Sequence, residues 1–166
     1  MNKTKAVLVM SLLCCTNAFA GDQLVNQAKG VNIKSCLSTI GDLETFFTEG
    51  QNYGSWSLWA TESADDQIFN STLEITFSEG HHLIDLTVAP TKDNQCSYTY
   101  TRTFYSDKSC MAFSKSDMKS AEYETEINKH VTGFNDGSAK WLLSSAGNGC
   151  MVQKKEVGIR HKAQAL

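Results

Sequence analysis

Residues 69–88, FNSTLEITFSEGHHLIDLTV, decide the fold, because apolar and polar side chains alternate on both sides of a short turn. In the first half, four apolar side chains share one face of an extended chain: Phe69, Leu73, Ile75 and Phe77. In the second half, three more share a face: Ile84, Leu86 and Val88. Between them lies Ser78-Glu79-Gly80-His81, a composition typical of a tight hairpin turn. The stretch therefore predicts two antiparallel strands with one buried face.

The same alternation continues in both directions along the chain. Upstream, Trp56, Leu58 and Ala60 share one face of a first strand. Downstream, the segment 96–104 alternates aromatic residues with threonine, which is typical of a sheet with one solvated surface. Further strands are predicted near 123–131, 139–144 and 150–155, each separated from the next by turn residues. The pattern predicts about seven antiparallel strands in consecutive hairpins.

One helix, from Ile33 to Glu49, is predicted before the strands. Four apolar residues fall on one helical face: Cys36, Ile40, Leu43 and Phe47. The polar segment 114–121 is predicted to be a loop or a helical turn. The predicted fold class is therefore α+β, with one N-terminal helix packed on a curved antiparallel sheet of about seven strands and two disulfides. The alternative is a closed, wholly β structure with the helix outside it.

The first twenty residues have the pattern of a cleavable signal peptide. Lys3 and Lys5 precede an apolar run, Ala6–Cys15, which has the length of a signal-peptide core and is too short to span a bilayer. Small residues suited to cleavage follow in Ala18-Phe19-Ala20. We therefore expect residues 1–20 to be removed on export.

The remainder, residues 21–166, is expected to form a single α+β domain with a frayed basic C-terminal tail of about ten residues. No later segment has the run of about 20 apolar residues that a membrane span requires. We therefore expect a periplasmic or secreted protein without a transmembrane segment.

Four cysteines lie beyond the predicted signal peptide: Cys36, Cys96, Cys110 and Cys150. An even number in an exported domain predicts two disulfides. A strand over residues 96–105 would separate its ends by about 30 Å, so Cys96 cannot reach Cys110. In an up-and-down sheet, Cys110 and Cys150 lie at one end, and the start of the helix lies with Cys96 at the other. The predicted pairs are therefore Cys36–Cys96 and Cys110–Cys150.

Charge is distributed unevenly along the chain. Lys and Arg number 15 against 18 Asp and Glu, a formal net charge of −3 at pH 7. Between Lys34 and Lys92 there is no Lys or Arg, while nine acids occur. Because such a segment repels phosphate, nucleic-acid binding is not expected. A basic protein is the partner that this charge would attract.

Catalytic and metal-binding patterns are missing from the sequence. His81 and His82 are neighbours in a strand and so face opposite sides of the sheet, which predicts turn and surface residues rather than one site. Asp65 and Asp66 could form a glycosidase pair, but neighbouring loop carboxylates share one solvated environment, which disfavours that alternative. We expect no metal site, no cofactor and no enzymatic activity.

Two tryptophans offer a better indication of function. Trp56 and Trp59 lie on opposite faces of one strand, so only one of them can enter the core. The predicted binding residues are an exposed tryptophan and the acids of the following loop: Trp59, Glu62, Asp65 and Asp66. The alternative is that Trp59 is covered by the loop 61–67 or by the C-terminal tail.

These features favour a non-enzymatic periplasmic protein-binding module. In size, export signal, bridges and helix-plus-sheet build, the chain resembles periplasmic inhibitors of wall-degrading enzymes and immunity proteins against secreted toxins. The resemblance is one of format, without a shared motif. It implies an inhibitor or immunity protein against a cationic exported enzyme or toxin. The alternative function is a small-molecule or lipid carrier that uses the concave face of the sheet.

Overall fold

The computed structural model describes residues 21–93 and 95–161. The predicted signal peptide, residues 1–20, and the last part of the predicted tail, residues 162–166, lie outside the described residues. Over the described part, the chain forms three α-helices and one eight-stranded antiparallel sheet. The predicted α+β class is therefore confirmed.

The helices are α1 (Gln23–Gly30), α2 (Leu37–Thr48) and α3 (Cys110–Asp117). The strands are β1 (Tyr53–Trp59), β2 (Phe69–Phe77), β3 (Gly80–Pro90), β4 (Gln95–Ser106), β5 (Glu122–Asn128), β6 (Val131–Asp136), β7 (Ala139–Ala146) and β8 (Gly149–His161). Their order in the sheet is β1-β2-β3-β4-β8-β7-β6-β5. The sheet is open, with β1 and β5 at its edges, so the closed all-β alternative is wrong.

The predicted helix is α2, and its apolar face is buried as expected. Cys36, Ile40, Leu43 and Phe47 are all buried, and the helix ends where Glu49 adopts a left-handed conformation. The prediction of a single helix is wrong. In α1 the buried residues are Leu24 and Ala28, a stripe too short to establish a helical period.

The third helix begins at Cys110, earlier than the polar segment 114–121 in which a helical turn was one prediction. Its start is capped by Ser109, whose Oγ accepts a hydrogen bond from the Ala112 N–H at 3.3 Å. Ser109 therefore satisfies one of the N–H groups that every helix start leaves without an intrahelical partner.

The sheet differs from the prediction in strand count and in connectivity. The segment expected to be one strand near 123–131 is a hairpin, because the chain turns at Lys129-His130 between β5 and β6. The last strand returns to the middle of the sheet, where β8 pairs with β4 instead of completing a row of consecutive hairpins. It also runs to His161, so 157–161, half of the tail expected to fray, is paired with β4.

The helices cover one face of the sheet, which we call the inner face; the opposite side is the outer face. One buried cluster joins α1 and α2 to β2, β3 and β4, with Phe69, Leu86 and Tyr100 among its members. A second joins α3 to β7 and β8 through Phe113 and Val152. Both clusters lie on the inner face. Tyr100 belongs to the first cluster and Phe104 packs on the second, and these two residues of β4 are four positions apart, so their side chains point to the same side of the sheet.

Both predicted disulfides are confirmed. Cys36 is bonded to Cys96 with a Cα–Cα distance of 5.8 Å, and Cys110 is bonded to Cys150 with a Cα–Cα distance of 4.9 Å. One of the predicted reasons holds: β4 is continuous from Gln95 to Ser106 and holds Cys96 far from Cys110. The other, an up-and-down order, does not hold, because Cys150 lies beside Ser106 through the return of β8 to β4. Each bridge therefore belongs to one of the two buried clusters.

Candidate functional site

The outer face carries large apolar side chains that the rest of the described chain leaves exposed. Trp56 on β1 is 79% exposed and Val157 on β8 is 73% exposed. Other exposed residues of the same face include Leu58, Ile68 and Ile159. Charged or polar residues would be expected at such positions of a solvated sheet. This face therefore has the composition of a contact surface.

A shallow groove of about 550 Å³ crosses this face from β2 to β8. Its two walls are apolar, with Ile68 on one side and Val157 and Ile159 on the other. The strand register puts small residues along the floor between them: Thr87, Ala89, Ser97 and Thr99. Neighbouring strands are about 4.8 Å apart, so three spacings set the walls roughly 14 Å apart. We call this the outer groove.

The strand that forms one wall of the outer groove also has an open edge. The pairing of β7 with β8 ends at Ala139 and Glu156. Beyond that point, Val157–His161 pairs with β4 on one side, and no described strand pairs with its other side. Unpaired N–H and C=O groups of such an edge can bind an added extended segment.

Two carboxylates lie on the outer face near Trp56, one on the neighbouring strand and one on the strand after it. Trp56 pairs with Thr72, and Thr72 pairs with Asp85 on the next strand. The Asp85 carboxylate accepts a hydrogen bond from the Asn70 amide at 3.0 Å, so it is held in place. Glu74 lies two residues from Thr72 on the same face and is exposed. The rim of the apolar patch near Trp56 is therefore acidic.

The predicted binding residues do not gather on this face. Trp59 pairs with the buried Phe69 and is on the inner side, where it is 43% exposed. Neither tryptophan enters the core, because the inward positions of β1 beside α1 are Ser55 and Ser57. Both serines hydrogen-bond to Gln27, with Gln27 Nε2 donating to Ser55 Oγ at 3.0 Å.

The loop acids that accompany Trp59 in the prediction have different environments. Glu62 and Asp66 are exposed. Asp65 is only partly exposed, and its Oδ1 accepts hydrogen bonds from the backbone N–H groups of Lys34 and Ser35, each at 2.6 Å. Asp65 therefore fixes the segment that precedes α2, a structural role that its position in a polar loop does not indicate.

Other acids of the segment without Lys or Arg, residues 35–91, also bind groups of their own chain. Glu44 is 2% exposed, and its carboxylate accepts hydrogen bonds from the N–H groups of Leu24 and Val25 at 3.0 and 3.2 Å. Asp42 forms an ion pair with Arg160 at 3.4 Å. Fewer acids are therefore available to a partner than the nine in this segment. Glu74 and Asp85 are available acids on the outer face.

The two adjacent histidines face opposite sides of β3, as predicted, but His82 is not a surface residue. It is 3% exposed, stacked against Phe104 with ring centroids 4.5 Å apart. Arg102 Nε donates a hydrogen bond to His82 Nδ1 at 2.7 Å. Burial, and then the Arg102 cation, lower the pKa of His82 from its ordinary 6.5 to about 4, so the ring is neutral at pH 7.

His82 lies at the edge of a larger cleft on the inner face, with a volume of about 930 Å³. The cleft is lined by cations and aromatic rings, among them Arg102, Lys154, Phe104 and Trp141. No local sequence pattern indicates this set, because its members come from strands that are paired only in the tertiary structure. Within the described residues, no group of three His, Cys, Asp or Glu side chains is arranged to hold a metal ion.

The β8 wall of the outer groove is also absent from the predicted binding residues. The signal was present in Val157-Gly158-Ile159, where β-branched residues continue the alternation of β8. No helix among the described residues has the length and apolarity to cross a membrane. No protein-family model, no curated protein and no solved structure matches this chain.

Proposed function

We propose that this protein is a non-enzymatic binding protein that engages a basic partner protein through its outer face. The observation that carries the proposal is the outer groove, whose apolar walls are exposed beside the open edge of β8. A monomer that kept these side chains in water would forgo about 25 cal/mol for each Å² of apolar surface left unburied.

Trp56 is the best candidate for the anchor of this interface. Interface energy is concentrated in a few large side chains, among which tryptophan is over-represented. Trp56 is the most exposed large apolar residue of the described chain, and Leu58 extends the same face toward the outer groove. A partner side chain that packs against Trp56 would lie next to the outer groove. The backbone of the partner would then follow that groove.

The rim of the patch indicates the charge of the partner. Glu74 on β2 and Asp85 on β3 lie on the outer face on one side of Trp56, so a partner with Lys or Arg at the matching positions gains complementary contacts. Exposed charges of this kind act mainly on the rate of association and are screened within about 8 Å at physiological ionic strength. The formal net charge of −3 has the same sign.

The two disulfides are consistent with a protein that works outside the cytoplasm, because such bridges persist in oxidising compartments. The periplasm or the exterior of the cell is therefore the proposed location. A basic exported enzyme or toxin is the proposed partner, and inhibition or immunity is the proposed result of binding.

The test uses two tryptophans on opposite faces of one strand. A photo-reactive benzoylphenylalanine replaces Trp56 in one variant and Trp59 in the other, in the cells that naturally produce the protein. After irradiation, adducts are identified by mass spectrometry. We expect position 56 to capture one basic protein other than this chain and position 59 to capture little of it.

A charge variant makes the test specific. Glu74→Lys in the position-56 variant should reduce the adduct several-fold, whereas Glu49→Lys, which changes the net charge equally on the helix side of the sheet, should not. Equal capture from both positions would contradict the proposed face. Adducts formed only between copies of this chain would show that the outer face is a self-association surface and would overturn the proposal of a basic partner.

A further inference from the structure

The inner cleft contains two cations placed directly opposite each other. Arg102 on β4 pairs with Lys154 on β8, and both side chains lie on the inner face. Like charges at directly opposed positions of neighbouring strands repel each other and lower stability. Their juxtaposition is favourable when an anion binds between them.

Few carboxylates are in direct contact with this pair. Among the described residues, Arg102 forms no ion pair with a carboxylate, and its Nε is bound to the neutral His82. Lys154 lies 3.7 Å from Glu156. The Glu156 carboxylate also accepts hydrogen bonds from the Tyr100 and Ser138 hydroxyls, so its negative charge is divided between these donors and Lys154. Three further carboxylates line the cleft: Glu79, Asp107 and Asp117. Asp117 pairs with Lys108, and among the described residues no carboxylate lies within ion-pair distance of Arg102, so the positive charge is concentrated locally at Arg102 and Lys154.

Flat rings surround the two cations. The Arg102 guanidinium lies 5.0 Å from the centroid of Phe77 and 6.0 Å from that of Phe104. The Lys154 ammonium lies 5.6 Å from the Trp141 ring. These contacts hold the cationic groups over aromatic faces and leave apolar surface for a ligand beside them. At about 930 Å³ the cleft has the size of small-molecule sites.

We propose that the inner cleft binds a small organic acid, whose anionic head lies between Arg102 and Lys154 and whose flat apolar body packs against Phe104 and Trp141. Guanidinium and ammonium groups supply the donors that a carboxylate requires. The site is on the face opposite the outer groove. The inference therefore goes beyond the proposed protein binding and does not depend on it.

The test is isothermal titration calorimetry with 2-naphthoate, an aromatic carboxylate, and with 2-naphthylmethanol, its neutral analogue. We expect naphthoate to bind with one site per chain and a Kd below a millimolar, and the alcohol to bind at least tenfold more weakly. Lys154→Gln should weaken naphthoate binding by about tenfold, the size of one lost charged contact. Lys155→Gln is the matched control, because the neighbouring side chain is exposed on the outer face.

Further arms distinguish the site from unspecific binding. Arg102→Gln should have an effect as large as Lys154→Gln, and near-ultraviolet circular dichroism checks that both variants are folded. Trp56→Ser should leave naphthoate binding unchanged, because Trp56 is on the other face. Failure of naphthoate to bind at millimolar concentration would overturn the proposal. Equal binding of the alcohol, equal binding of inorganic phosphate, or an equal effect of Lys155→Gln would do so as well.

Discussion

At the scale of single residues, several polar side chains do structural work in the interior. Glu44 belongs to α2, yet its carboxylate caps the first turn of α1 by accepting the Leu24 and Val25 N–H groups. The Tyr53 hydroxyl donates to the same carboxylate, and burial together with this hydrogen bond raises the pKa of Tyr53. One side chain therefore joins two helices and the first strand.

His82 makes the stability of the protein depend on pH in a defined window. Its pKa is about 4 in the folded chain and about 6.5 in the unfolded chain. Between these values the unfolded chain binds a proton that the folded chain does not. The free energy of unfolding therefore falls as the pH falls from 6.5 to 4, by up to about 1.4 kcal/mol per pH unit, and the contribution is fully present above 6.5.

The measurement is urea unfolding at a series of pH values. His82→Gln keeps an acceptor for Arg102 but cannot be protonated in this pH range. Its free energy of unfolding should therefore fall less between pH 6.5 and 4 than that of the wild type. His81→Gln, on the exposed neighbour, should follow the wild type. Parallel pH profiles for wild type and His82→Gln would contradict the buried neutral histidine.

At the scale of elements, β8 organises the sheet. It pairs with β4 along the full length of that strand and with β7 as far as Glu156. Its C-terminal third then supplies Val157 and Ile159 to the outer groove. One strand thus links the two buried clusters and forms part of the proposed binding face.

Gly158 is needed in β8 because Tyr98, its partner on β4, lies across it. A Cβ atom at Gly158 would come within 2.5 Å of Tyr98 Cζ. We expect Gly158→Ala to lower the free energy of unfolding by about 1–3 kcal/mol, because the ring must move out of its packed position. Denaturant unfolding measures this change.

Two controls define the cause. Gly54→Ala in β1 should cost little by comparison, because no heavy atom lies within 4 Å of the added Cβ. In a Tyr98→Ala background, Gly158→Ala should lose most of its effect, since the obstructing ring is gone. The same cost in both backgrounds would show that the packing of Tyr98 is not the reason for the glycine.

At the scale of the whole molecule, the described chain has two buried clusters on one continuous sheet, and each cluster has its own disulfide. Cys36–Cys96 connects the start of α2 to β4, and Cys110–Cys150 connects the start of α3 to β8. The second cluster is the smaller one. We infer that the half of the molecule around α3 depends more strongly on its bridge.

Removing one bridge at a time should therefore destabilise different halves. Cys110→Ala with Cys150→Ala should lower amide hydrogen-exchange protection mainly in α3 and in β5–β7, by about 2–4 kcal/mol. Cys36→Ala with Cys96→Ala should act mainly on α1 and α2. Hydrogen exchange read by mass spectrometry resolves these segments. A uniform loss of protection in either variant would show that the two clusters unfold as one unit.

The sequence by itself determined the strands on both sides of residues 78–81, the apolar face of α2 and both disulfide pairs. The strands and the helix face follow from covalent geometry over a short distance, because side chains alternate along a strand and recur along a helix. The same geometry excludes a Cys96–Cys110 bridge, because a strand of twelve residues cannot bring its ends together, whereas the place of Cys150 beside Ser106 depends on the pairing of β8 with β4. The fold class followed because one helical face and one sheet face had to be buried together.

The tertiary structure alone decided how β8 is placed and what it exposes. Its pairing with β4 joins residues such as Ser97 and Ile159, and no local pattern records a contact over that separation. The same pairing brings Arg102 beside Lys154 in the inner cleft and Val157 opposite Ile68 across the outer groove. The helix α1 is held by Glu44 and Gln27 against the inward side of β1, where the side chains are Ser55 and Ser57. Both tryptophans were left outside the core for that reason, because which face of a strand is buried depends on the element that packs against it.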